Sequence, residues 1–194
     1  MKYSKADLIG EKQYLNSGEA SWKYKLLFKW FPSKKINLVL HLPESYLERA
    51  WLLCQDIERI TEEEGLTPKI LLNVLVRSFL LELAKKGSTP AYEYLLERYS
   101  KVLQVAHYQS DRVDEFELFD KPNEPLATYQ VTLDYDTVYR LELFLKELQL
   151  LVEHTMTVEK VLEILFCYMI ELVQKGNAAK FCKALIDYVN DINE

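Results

Sequence analysis

The sequence predicts a mostly α-helical chain with two short β-strands. It is read as two tandem strand-helix-helix(-helix) repeats whose strands pair as an antiparallel ribbon. Three observations predict this class. Residues 36–42 and 127–133 alternate apolar and other residues, the period of a half-buried strand. Each is followed by two apolar-periodic segments of helix length. The second set lies on the first when the chain is shifted by 91 residues through the strand and first helix, and by 90 through the second helix. At the first shift Leu38, Leu40 and Leu42 fall on Tyr129, Val131 and Leu133, and Leu47 and Ile57 fall on Val138 and Leu148. At the second, Thr67, Leu71 and Phe79 fall on Thr157, Val161 and Met169. The lost residue falls in the turn between helices, where an indel costs little.

Residues 1–35 read as a basic, aromatic N-terminal arm. They hold eight Lys against Asp7, Glu11 and Glu19, a balance of +5 in a chain of net charge −6, which leaves −11 for the remainder. Trp22, Tyr24, Phe28, Trp30 and Phe31 interleave with Lys23, Lys25 and Lys29. The aromatics suit the edge of a core and the lysines suit phosphates. The two roles are compatible, because a Lys stem lies on apolar surface with its head in water.

The first unit spans 36–108. Its strand, 36–42, turns Ile36, Leu38, Leu40 and Leu42 inward and Asn37, Val39 and His41 outward. Pro43 ends the strand and suits a helix start. A helix over 44–63 follows, with Leu47, Ala50, Leu53 or Cys54, Ile57 and Ile60 on one stripe and Gly65 behind its end. Thr67 and Pro68 open the next helix as N-cap and first residue. That helix, 68–86, is apolar around most of its circumference, so it must be buried on several sides, and Gly87 ends it. A third helix runs from Pro90 to about Ala106. Residues 109–126 form an acidic, Pro-punctuated linker.

The second unit spans 127–194. Its strand turns Tyr129, Val131 and Leu133 inward and Thr128, Gln130 and Thr132 outward. Asp134 to Asp136 supply the turn, and helices are expected over 136–153, over 158–175 with Thr157 as cap, and over 178–191 after Gly176. The two units are expected to share one core, because one strand per unit leaves its backbone groups without a partner.

Several function classes are disfavoured. No apolar run reaches the roughly 18 residues of a membrane span, and no signal peptide is evident at the N-terminus. Cys54, Cys167 and Cys182 are odd in number and unpaired in spacing. Cys54 and Cys167, within apolar helical segments, read as small buried hydrophobes of a reducing, cytoplasmic compartment. An enzyme is not expected: His41, His107 and His154 lie far apart, and the chain has no Gly-rich phosphate loop, His-Glu-x-x-His or Cys-x-x-Cys. Glu62 to Glu64 read as a solvated helix end. No catalytic residue, metal site or cofactor is assigned.

The order of strand, Leu-Pro turn, helix, Gly-x-Thr break and helix resembles the ribbon-helix-helix (Arc/MetJ-like) DNA-binding fold. The residues that carry the resemblance are Asn37 to Pro43 (Asn-Leu-Val-Leu-His-Leu-Pro), Gly65-Leu-Thr67 and the apolar run from Ile70 to Leu83. It covers 36–86 well and 127–175 more weakly. That family is normally a homodimer of short chains, so this chain resembles a single-chain pseudo-dimer. It departs from the pattern in a longer first helix, an extra helix per unit, and Asp134 and Thr155 where the first unit has Pro43 and Gly65.

The resemblance implies a sequence-specific DNA-binding transcriptional regulator with double-stranded DNA as its partner. The ribbon enters the major groove, where each base pair shows a distinct donor and acceptor pattern. Asn37, Val39, His41, Thr128, Gln130 and Thr132 become the base-reading face. Lys34, Lys35, Thr67, Lys69, Thr157 and Lys160 become phosphate contacts, at the strand entry and at two helix starts. Glu159 puts a negative charge beside the second of these and weakens it. The alternative is a helical protein–protein interaction or adaptor module that keeps the scaffold without binding DNA, and the −11 balance outside the arm favours it. Further homodimerisation or a protein partner belongs to either reading.

Overall fold

The computed structural model describes residues 2–23, 25, 35–62, 64–87, 90–91, 93–95, 97 and 125–193. Lys34, His107, Trp30 and most of the 109–126 linker lie outside the described residues. So does most of the expected third helix, of which residues 90, 91, 93–95 and 97 are described and helical.

The elements, in chain order, are α1 (Leu8–Asn16), β1 (Lys35–Pro43), α2 (Glu44–Thr61), α3 (Pro68–Lys86), β2 (Leu126–Asp134), α4 (Tyr135–Gln149), α5 (Val158–Gln174) and α6 (Ala179–Asn193). Among the described residues the sheet has two strands, β1 and β2, running antiparallel. No described helix is long and apolar enough to cross a membrane.

The strands follow the side-chain alternation. Ile36, Leu38, Leu40 and Leu42 are buried on β1, and Val131 and Leu133 on β2. Each strand is one residue longer at both ends than the expected run, so Leu126 belongs to β2 and not to the linker.

α2 starts directly behind Pro43, whose backbone (φ −56°, ψ 135°) serves as N-cap. Its buried stripe is Tyr46, Ala50, Leu53, Cys54 and Ile57. Ile60, expected on that stripe, is 68% exposed, because the helix ends one residue later, at Thr61. Gly65 was expected behind the end, but Glu62 takes the left-handed position there (φ 60°). The Glu58 carboxylate accepts the Gly65 and Leu66 N–H groups, each at 2.7 Å, and so holds the turn.

α3 has the expected bounds. The Gly87 N–H bonds the Leu83 carbonyl at 2.9 Å with φ +79° at the glycine, a backbone state that L side chains disfavour. Its buried face is broad: Leu71, Leu72, Val74, Val76 and Phe79. α4 stops at Gln149, short of the expected 153, because its apolar stripe runs out after Leu148. The Leu150, Leu151 and Val152 side chains are exposed. α5 is the helix buried nearly all round, from Val158 to Glu171 with Lys160 and Tyr168 as exceptions.

The described residues form two compact units, each drawn from both halves of the chain. One holds Met1–Leu40 and Gln130–Leu162. Within it α1 packs on α4, and Leu8, Leu38, Val131, Leu141 and Val158 are buried. The other holds His41–Tyr129 and Glu163–Glu194. Within it α2, α3 and α6 are in mutual contact.

α1 is an element that the sequence reading did not specify. It has little apolar periodicity, and Leu8 is its buried residue. Its start is fixed by a distant side chain. The Glu142 carboxylate on α4, fully buried, accepts the Leu8 N–H at 3.0 Å, the Ile9 N–H at 2.8 Å and the Ser4 hydroxyl. A carboxylate at a helix N-terminus satisfies donors that have no partner within the helix and is favoured by the helix dipole.

Candidate nucleic-acid interface

Asn37 bonds Thr132, and the Glu44 N–H bonds the Pro125 carbonyl at 3.2 Å. These two contacts set the register: Val39 lies opposite Gln130, and His41 opposite Thr128. The outer face therefore carries Lys35, Asn37, Val39 and His41 beside Thr128, Gln130, Thr132 and Asp134. All are exposed except Val39, which is half-buried. Every described residue assigned to base reading lies on this one face.

The register has a second consequence. In an antiparallel pair, rungs alternate between hydrogen-bonded and non-hydrogen-bonded pairs. With Glu44 on a bonded rung, the inward residues of β1 take the bonded rungs and the outward residues take the others. Side chains on non-bonded rungs approach most closely, and the Thr132 hydroxyl donates to Asn37 Oδ1 at 2.8 Å. Backbone groups on those rungs point off the ribbon's edges. One of them, the His41 N–H, is taken by the Glu163 carboxylate of α5 at 2.8 Å.

The charge on this face is sparse. Lys35 is exposed at the β1 entry, with Asp134 opposite, so the two ends of that rung carry opposite signs. At the start of α3, Thr67 is the N-cap residue in extended conformation, but its side chain makes no cap bond. Lys69 is exposed, and the first turn holds no acid. The Lys69 backbone N–H faces the Tyr129 phenol, which sets this helix start against β2. Burial raises the Tyr129 phenol above its ordinary range, with Cys54 as a further cause.

The start of α5 differs. Thr157 Oγ1 accepts the Lys160 N–H at 3.4 Å, the bond of an N-cap. The Val158 N–H donates to the Tyr3 carbonyl at 2.7 Å. Glu159 is buried, and its carboxylate accepts the Lys5 N–H at 3.0 Å. From the sequence, Glu159 is expected to stabilise its own helix start and to weaken a phosphate contact there unless Lys160 offsets it. In the fold it holds the N-terminal segment.

The burial and partners of Glu142, Glu159 and Glu163 lie beyond the sequence expectations. A signal was present. Glu142 sits among Val138, Leu141 and Leu145 on the apolar stripe of α4, and Glu159 and Glu163 lie one turn apart on a helix otherwise apolar nearly all round. An acid at such a position is buried, and a buried acid must be hydrogen-bonded.

Cys54 and Cys167 are buried as expected, and Cys182 is half-buried. Burial, reinforced by the Glu58 charge, pushes the Cys54 thiol up to about 12. His154 is buried too: its Nε2 lies 3.0 Å from the Leu145 carbonyl, and its Nδ1 accepts the Met156 N–H at 3.1 Å. Both ring nitrogens serve the turn between α4 and α5.

No protein-family model matches the chain, and no curated protein or solved structure matches it.

Proposed function

We propose that the chain is a sequence-specific DNA-binding regulator that reads the major groove with the outer face of the β1–β2 ribbon. The observation that carries this reading is that face itself. Asn37, His41, Thr128, Gln130 and Thr132 are exposed along it, while Ile36, Leu38, Leu40, Leu42, Val131 and Leu133 of the same strands are buried and the inward Tyr129 is half-buried. A two-stranded ribbon fits the major groove. Asn and Gln bond base edges there, and Val39 and the threonine methyls suit a thymine methyl. The tandem, pseudo-dimeric arrangement belongs to the same reading. The strands start at Lys35 and Leu126 and the helices behind them at Glu44 and Tyr135, in keeping with the 91-residue shift. The next helices start at Pro68 and Val158, in keeping with the 90-residue shift. Phosphate contact is assigned to Lys35, to the helix starts at Thr67 with Lys69 and at Thr157 with Lys160, and to Lys34 from the sequence pattern.

The test is selection from a randomised duplex pool at two salt concentrations. An enriched motif is expected. His41→Ala with Gln130→Ala abolishes the enrichment. Lys34→Ala with Lys35→Ala lowers affinity and makes the salt dependence shallower by about one unit of slope per lost phosphate contact. Failure of the folded protein to retain any duplex at low salt sinks the reading.

The interaction-module reading has its own support. Leu150 is 82% exposed and Leu151 62%, with Val152 beside them, and Trp51 and Leu52 are exposed on α2. Exposed apolar groups of this kind mark protein contacts when they are contiguous. Sedimentation of the wild type against Leu150→Ser/Leu151→Ser decides whether that turn mediates self-association.

A further inference from the structure

The start of α5 is one of the two helix starts that the DNA reading assigns to phosphate, and in the fold it is already in use. The Val158 N–H is bonded to the Tyr3 carbonyl and the Lys160 N–H to the Thr157 hydroxyl. The Glu159 carboxylate holds the Lys5 N–H. The segment that supplies these partners is itself anchored. Tyr3, Ser4 and Leu8 are buried, and Glu142 accepts Ser4, Leu8 and Ile9 together. Ser4 Oγ in turn accepts the Ala6 and Asp7 N–H groups at 3.0 and 3.2 Å, which folds the segment into a compact turn before α1.

A helix start holds an anion through free N–H groups and the positive end of its dipole. Here a phosphate would have to displace the Tyr3 carbonyl and approach a buried carboxylate in the same turn. The start of α3 has an exposed lysine and no acid in its first turn; Pro68 has no N–H and the Lys69 N–H faces the Tyr129 phenol, so any phosphate contact there rests on the Lys69 side chain.

We infer that residues Tyr3–Ile9 are a built-in plug on the start of α5, so that phosphate contact is left to Lys34, Lys35 and Lys69 and the Thr157–Lys160 turn makes none. The inference rests on the DNA reading for its consequence, but not for the plug. It removes Thr157 and Lys160 from the phosphate-binding set and makes the two helix starts unequal in use.

Two measurements on the full chain test it separately. Amide hydrogen exchange in the free protein reads the plug: Val158, Leu8 and Ile9 are expected to be protected. A Val158 amide that exchanges as fast as an unstructured one overturns the plug, whatever DNA does. Duplex binding as a function of salt reads the consequence. Lys69→Ala is expected to lose affinity several-fold and to lower the salt slope by about one. Lys160→Ala is expected to match the wild type in both. Equal losses for Lys160→Ala and Lys69→Ala overturn the inference. A wild type that holds no duplex sinks the DNA reading and with it the division of phosphate contacts, and the exchange data then decide the plug alone.

Discussion

The Thr132 hydroxyl donates to Asn37 Oδ1 at 2.8 Å across the two strands of the ribbon. The bond joins an outward residue of β1 to its opposite number on β2, and both are exposed. It holds the Asn37 amide in one orientation, with its Nδ2 donors unspent by this contact. In the groove-reading proposal the two residues therefore act as one reader.

Asn37→Ala and Thr132→Ala are accordingly expected to relax base selection at the same position of the bound site, each by roughly 1–2 kcal/mol of discrimination. The double variant is expected to lose little more than either single one, since residues in one hydrogen-bond pair are not additive. A double-mutant cycle on duplexes varied one base pair at a time makes the check. Additive losses at separate positions would show two independent contacts.

The two faces of the ribbon are expected to separate stability from selectivity. Leu40→Ala empties a fully buried site and is expected to cost about 2–5 kcal/mol in denaturant unfolding. Gln130→Ala, exposed on the opposite face, is expected to stay within about 0.5 kcal/mol of the wild type while degrading duplex selection.

Glu142 bonds the Ser4 hydroxyl and the Leu8 and Ile9 amides from a fully buried position. Glu142→Leu leaves all these donors without their acceptor and is expected to destabilise the chain by about 3 kcal/mol. Glu142→Gln keeps one acceptor oxygen and should lose about half as much. Thermal unfolding, with amide exchange at Leu8 and Ile9, reads both effects. A neutral Glu142→Leu would mean that α1 is held by its apolar contacts alone.

The pH profile should carry a mark of Cys54. Its thiol is raised from 9.0 to about 12, chiefly by burial and then by Glu58. Below pH 9 the thiol is protonated in both folded and unfolded chains, so its contribution to stability is fully present. As pH rises from 9 to 12 the unfolded chain releases the proton first, and stability falls. Cys54→Ala is expected to flatten this alkaline fall. Identical slopes for the two proteins between pH 9 and 11 would refute it.

Much of this architecture was legible because the cues are local. Alternation at 36–42 and 127–133 fixed both strands, and with them which of Asn37, Leu38, Val39 and Leu40 face out. Thr67-Pro68 and Gly87 bounded α3 to the residue. The cues failed where apolar period and helix end part company. α4 stops four residues short because Leu150 to Val152 are apolar but face solvent, and α2 ends on a left-handed Glu62 with Gly65 three residues farther on.

The sequence by itself determined both strands, the two helices behind each of them and the polar set on the ribbon, but not α1, since side-chain period and capping act over a turn or a rung. Only the tertiary structure decided what the buried acids do. Glu142 reaches the start of α1, Glu159 reaches Lys5, and Glu163 reaches the His41 amide, all across more than a hundred residues of chain. A buried carboxylate must find donors, but nothing in its own neighbourhood of sequence says which. That choice belongs to the packing that brings a distant N–H within 3 Å of it.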